Sequence, residues 1–225
     1  MRILLFDIDG TLLITDSGGK GALERAMSDE FQLSSVDVEL HFAGRTDRSL
    51  LNELLQRNGL DINERNRRRL SERYVQYLPG VLDQRGGKVL PGVKEILNQI
   101  TEAGESACYV MTGNLNQTAT HKLKHFDLLH YFDGIFGGDH DTQREDLARR
   151  TRDTLEDRLG ENAIRQVVVI GDTPDDIRCG HAIGAEVIAV CTGSYGRQAL
   201  EAEKPAAVYD DLLDFAAVNH LLDRS

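Results

Sequence analysis

At 225 residues, with 40% hydrophobic and 28% charged content, the chain can bury one sizeable core, or a core plus a smaller module. A formal net charge of −11 excludes a general nucleic-acid or anionic-membrane binder, which needs clustered positive charge, but not a binder of a small phosphate ester. Cys108, Cys179 and Cys191 are odd in number, widely spaced and set in apolar contexts, and no apolar run has signal-peptide or membrane-spanning length, so reduced thiols and a cytoplasmic location are expected.

The chain opens on the apolar run Ile3-Leu4-Leu5-Phe6, which reads as a buried strand, followed by Asp7-Ile8-Asp9-Gly10-Thr11. Residues 18–84 then carry helical stripes only. Ala22, Leu23, Ala26, Met27 and Phe31 form the first, Leu50, Leu51, Leu54 and Leu55 the second, and Leu70, Tyr74 and Tyr77 the third. The segments near Ile14 to Gly18 and at Gly86-Gly87 look like hinges. An all-helical insertion at 18–84 between the two parts of an α/β domain, 1–17 and 85–225, is therefore expected.

From residue 88 onward strand and helix alternate. Val93, Ile96, Leu97 and Ile100 give a helical stripe stopped by Gly104, and Ala107 to Met111 is a strand ending at Thr112-Gly113-Asn114. A helix through Leu123 and Phe126 follows, then a strand near Phe132 to Phe136 and a helix from Glu145 to Leu159. Val167 to Ile170 is the clearest buried parallel strand, ending at Gly171-Asp172; a helix around Ile177 to Ile183 and a strand at Val187 to Val190 complete the pattern. This alternation predicts a parallel sheet covered on both faces.

The chemistry gathers at strand ends. Asp7 and Asp9, two apart on an extended strand, would point the same way, and their repulsion asks for a hard cation with oxygen ligands between them. Asp172, and Asp176 one helical turn beyond it, follow another strand. Asp172 as a cap of the next helix, with Pro174 in its first turn, is compatible with a metal role. Asp175 reads as a solvent-facing acid. The Thr112 hydroxyl and the amides of Gly113 and Asn114 would open a helix and cradle a phosphate, although Thr is also an ordinary N-cap.

Asp7-x-Asp9-Gly10-Thr11, Thr112-Gly113-Asn114 and Gly171-Asp172-Thr173-x-x-Asp176, in this order over nearly the whole chain, resemble the haloacid dehalogenase superfamily, most closely its phosphoglycolate phosphatase-like branch with a helical cap. The resemblance implies a Rossmann-like core, a Mg²⁺ ion and hydrolysis of a phosphate ester through an aspartyl-phosphate. It implies Asp7 as nucleophile and Asp9 as acid and base, with Asp7, Asp172 and the Asp9 carbonyl as metal ligands and the Asp9 carboxylate pointing away from the metal, since a nearby cation would depress its pKa. Asp176 would orient a metal-bound water or a neighbouring basic residue.

Relatives usually carry a lysine between the second and last motifs, but residues 137–147 contain none. Arg144 is the expected substitute, since a guanidinium bridges carboxylate and phosphate; the plainer alternative is a surface pair with Asp141 or Asp146. Lys122 and Lys124, mid-helix, rank behind it. In Gly44-Arg45-Thr46-Asp47, at the start of a helix, Arg45 is a candidate for a second anionic group of the substrate, with Asp47 pairing with it or capping the helix. The basic run Arg65, Arg67, Arg68, Arg69 and Arg73 reads as a solvated helix face, and the histidines show no metal-ligand spacing.

The expected activity is a Mg²⁺-dependent phosphatase acting on a small phosphorylated metabolite, with phosphoglycolate-like esters and sugar phosphates both open and oligomeric state unread. Alternatives are a phosphomutase of the same superfamily or a phosphate-binding regulatory protein with weak catalysis. A dehalogenase would lack the second acid and the metal.

Overall fold

The computed structural model describes residues 1–214; the stretch 215–225, assigned above to the α/β part, lies outside the described residues. Six parallel strands form the main sheet: β1 (Arg2–Phe6), β4 (Ser106–Met111), β5 (Gly134–Phe136), β6 (Gln166–Gly171), β7 (Glu186–Val190) and β8 (Ala207–Tyr209), in the order β5-β4-β1-β6-β7-β8. β1 sits between β4 and β6, and Phe6 pairs with both Val110 and Ile170. The tips of these three strands therefore end nearly level, at the carboxyl edge where open α/β sheets bind ligands.

Alternate residues of the strands face opposite layers. Leu4, Phe6, Val110, Val168 and Ile170 pack on one side with α4 (Val93–Ala103) and α5 (Asn116–His125). Ile3, Leu5, Met111, Val167 and Val169 pack on the other with α6 (Arg144–Leu159) and α7 (Pro174–Ala182). The buried Val/Ile/Leu strands predict this double cover, because both faces of a parallel sheet must be removed from water.

The helices α1 (Gly18–Phe31), α2 (Asp47–Arg57) and α3 (Glu64–Arg85) enclose a separate core of residues including Met27, Leu54, Leu55, Leu70 and Leu78. Tyr77 proves peripheral: the stripe of α3 continues through Leu78 and Leu82, and only Tyr74 of the two tyrosines is buried. Both expected hinges meet in a short antiparallel pair, β2 (Leu13–Ile14) with β3 (Lys88–Val89), where Gly87 has φ +131° and a Cβ would lie 2.2 Å from the Ile14 carbonyl oxygen. This pair, β8 and the short α8 (Arg197–Ala202) are elements the sequence pattern does not announce; each is too short to show a period. Among the described residues no helix is long and apolar enough to cross a membrane, and all three cysteines are free thiols. The basic run of α3 is only in part the solvated face expected: Arg68 pairs with Glu72 in solvent, but Arg67 is mostly buried beside Glu64, and Arg69 and Arg73 reach across to Glu30 of α1.

Candidate active site

Asp7 follows the last residue of β1 and anchors itself by donating its amide to the Ile170 carbonyl at 3.0 Å. Beyond it the chain leaves the strand: the Ile8 carbonyl accepts the amides of Thr11, Leu12 and Leu13, and Gly10 takes φ +87°. A Cβ on Gly10 would lie 2.4 Å from an oxygen of Asp172, so only glycine lets the turn pass that close. This turn overturns the expectation that the two carboxylates converge. Asp7 and Asp9 are no longer alternate residues of one strand, and they face different cations.

Asp7 lies in a buried acid cluster. Its carboxylate, that of Asp172 and that of Asp176 each offer an oxygen within 4.8 Å of the others. Arg144 enters from the start of α6, 3.5 Å from Asp7 Oδ1 and in direct contact with Asp176 Oδ1. Arg144 is thus a buried member of the site; Arg150, not Arg144, pairs with Asp141, and Arg149 with Asp146. Burial pushes the Asp7 carboxyl up to about 7, with Asp176 and Asp9 adding to the rise and Arg144 and the Thr112 hydroxyl opposing it. Burial, then Asp176 and Asp7, raise Asp172 well above the usual carboxylate range. Three acids around one guanidinium leave an excess of negative charge that a divalent cation would neutralise. Arg144 Nε is buried without a hydrogen-bond partner, a donor left over for something bound there.

Asp172 accepts from the Thr11 hydroxyl at 3.0 Å, and Asp176 closes a capping box with Thr173 at the start of α7. The cap of α7 is thus Thr173 and not Asp172 as expected, because the Asp172 carboxylate turns to the Thr11 hydroxyl and the acid cluster. Of the two partners expected for Asp176, a basic residue is the one in contact with it: Arg144. Asp175 pairs with Arg178 and also lies against the 42–46 loop, where a Cβ on Gly44 would come 2.2 Å from its carboxylate; it is not simply solvent-facing.

Asp9 forms the second half of the site. Lys122 Nζ donates to its two oxygens at 2.8 and 2.6 Å and to Asn114 Oδ1 at 2.7 Å, while Asn114 Nδ2 donates to Asp9 Oδ2 at 2.8 Å. Lys122, ranked behind Arg144 in the sequence, is therefore the residue that reading undervalued. A signal was present: Leu115, Thr118, Ala119, Lys122 and Leu123 make one buried helical stripe, and a lysine on such a stripe needs an anionic partner.

The phosphate cradle needs correction. α5 begins at Asn116, two residues later than expected, and its first amides are engaged: Leu115 donates to Asp47 Oδ2 at 2.8 Å and Asn116 to Asp139 Oδ2 at 2.9 Å. Asn114 contributes its side chain, which spans Thr112, Asp9 and Lys122, rather than an amide at a helix start. Thr112 and Gly113 remain at the tip of β4 and line, with Asp7, a cavity of about 530 Å³.

From the helical segment, Arg45, Lys20 and Tyr74 line the same cavity. Arg45 pairs with Glu53 at 2.5 Å, not with Asp47. Thr46 caps α2, and Asp47 is buried, reaching across to the Leu115 amide and the Thr118 hydroxyl while its own amide donates to the Gly113 carbonyl at 2.6 Å. Burial pushes the Asp47 carboxyl up to about 6, against the opposing pull of Lys122 and the Leu115 amide.

Comparison with known proteins gives the family and the fold. The phosphoglycolate phosphatase of Aliivibrio fischeri is 25% identical over 97% of this chain and 96% of its own length. The probable phosphatase IndB of Dickeya dadantii is 27% identical over 98% and 94%. In fold, the chain is similar to a hydrolase from Pseudomonas syringae (TM-score 0.70, 24% identity, 100% of both chains) and to CbbY from Rhodobacter sphaeroides in complex with phosphate (TM-score 0.72, 15% identity, 97% of this chain and 98% of that one). The family model for haloacid dehalogenase-like hydrolases matches residues 4–190, and with it the strand tips that carry Asp7, Thr112 and Asp172; the chain belongs to the haloacid dehalogenase-like hydrolases.

Proposed function

We propose that the protein is a Mg²⁺-dependent phosphatase of small phosphomonoesters, with residues 18–84 as a cap over a body formed by 1–17 and 85–225. The observation that carries this reading is the division of the first two acids: Asp7 faces Arg144 and the acid cluster, and Asp9 faces Lys122 and Asn114. One carboxylate is thereby set for attack on phosphorus and the other for handling protons. Asp7, Asp172 and the Asp9 carbonyl would hold the ion, which supplies charge neutralisation to the transferring phosphoryl group.

An Asp7 oxygen attacks phosphorus, the bond from phosphorus to the ester oxygen breaks, and Asp9 gives its proton to the departing alcohol oxygen. Arg144, the Thr112 hydroxyl and the Gly113 amide balance the charge of the phosphoryl oxygens, with Arg144 Nε as an available donor. Asp9 then takes a proton from water as that water attacks the aspartyl-phosphate, releasing inorganic phosphate and restoring Asp7. The cap excludes bulk water, and its Arg45 and Lys20 favour an ester with a second anionic or hydroxylated end, as in phosphoglycolate. The cysteine state, the acidic surface and the small cavity accord with a cytoplasmic enzyme of small metabolites rather than of nucleic acid or membrane.

The test is hydrolysis of 4-nitrophenyl phosphate with and without Mg²⁺, followed by a panel of phosphorylated metabolites. Asp7→Asn should lose more than about 10³-fold in kcat. Undiminished turnover by Asp7→Asn, or equal rates after chelation, would refute the reading.

A further inference from the structure

Among the described residues Lys122 is the one lysine in the buried class, and all three of its donors are used: two on Asp9 and one on Asn114. Asn114 holds Asp9 from a second direction and is itself fixed on the Thr112 hydroxyl at 2.8 Å. Asp9 is thus oriented by two neighbours, yet 44% of its side chain stays open towards the cavity. Arg144 serves Asp7 and Asp176, on the other side of the site. The two cations have separate clients. α5, which carries Lys122, is braced at its first turn by Asp47 of the helical segment through the Leu115 amide and the Thr118 hydroxyl, and Thr118 lies one turn from Lys122 on the same face.

We infer that Lys122 is the positioning residue of Asp9, separate from the cation at the nucleophile, and that docking of the helical segment through Asp47 holds it in register. The inference rests on the phosphatase reading. A residue that aims the proton donor matters in proportion to how badly the leaving oxygen needs a proton. Nitrophenolate departs almost unaided; phenolate does not.

The experiment compares kcat/KM, which reports on steps through departure of the leaving group, for 4-nitrophenyl phosphate and phenyl phosphate at saturating Mg²⁺. Lys122→Met is expected to lose on the order of tenfold more on phenyl phosphate than on 4-nitrophenyl phosphate. In an Asp9→Asn background the same change should cost little further, because a residue that acts only through Asp9 has nothing left to aim. Should Lys122→Met lose its thermal transition, Lys122→Gln, which keeps a donor, is judged by the same two criteria. Equal losses on both esters, or losses that add to those of Asp9→Asn, would overturn the inference and leave the phosphatase reading standing. A wild-type protein inert towards 4-nitrophenyl phosphate would overturn that reading first.

Discussion

Asp7, Thr112 and Asp172 leave three neighbouring strands whose register is set by backbone hydrogen bonds, whereas Arg45 reaches the same cavity from a stretch, residues 32–46, without regular structure. In the body, a residue's place follows from its count along a strand, and shifting it means slipping a ladder buried on both faces. The helical segment has a core of its own, joined by Leu115, and meets the body along α3 and α5, through Asp47 on Gly113, Leu115 and Thr118, through Arg48 on the Asp139 carbonyl and through His41 on Tyr195. The acids proposed for catalysis thus sit on the sheet frame, while Arg45 enters the cavity from a segment with its own core.

This contrast can be broken from either side. The largest effect is expected in the body: Arg144→Ala removes the one cation among three buried acids and should lower kcat roughly 10²- to 10³-fold, with Arg144→Lys recovering part of it. A near-wild-type rate would assign Arg144 to structure alone. At the junction, Asp47→Ala leaves the Leu115 amide without its acceptor, while the Thr118 hydroxyl keeps the Leu115 carbonyl, weakening docking by about 1–3 kcal/mol. Steady-state kinetics should show this chiefly in kcat/KM, and hydrogen exchange should show faster exchange at Leu115. Unchanged exchange would mean that docking does not rest on Asp47.

Gly44→Ala should act in the same sense but less, by about 1 kcal/mol, since it places a side chain at φ +73° against the flexible end of Asp175. The smallest effect is the pH dependence of Asp47. Its carboxyl titrates near 6 when folded and near the ordinary 3.8 when unfolded, so the native state binds a proton more tightly in that window. The cost of burying the charge is fully present above pH 6 and is relieved as pH falls towards 4. Relative to Asp47→Asn, the wild type should therefore gain stability on the order of 1 kcal/mol over that range, read by urea denaturation at several pH values. A flat difference would remove Asp47 from the buried charges.

Most of the frame was legible because parallel strands buried on both faces announce themselves as runs such as Val167 to Ile170, and a glycine or an aspartate soon after each run marks its tip. Arg144 was legible only as a substitute, since its burial between Asp7 and Asp176 depends on how α6 meets α7. Lys122 was undervalued because its helix was judged by position rather than by which face is buried. The phosphate cradle was misjudged by two residues: the start of α5 is set by Asp47 and Asp139, which lie 68 and 23 residues away in the chain.

By itself the order of residues determined the sheet, the helical insertion and the acids at the strand tips, because periodicity and turn chemistry are local properties of the chain. Only the tertiary structure decided which cation each acid faces and that Asp47 of the insertion is tied to the start of α5. Those outcomes depend on hydrogen bonds between residues far apart in sequence, whose geometry exists only once the layers have packed.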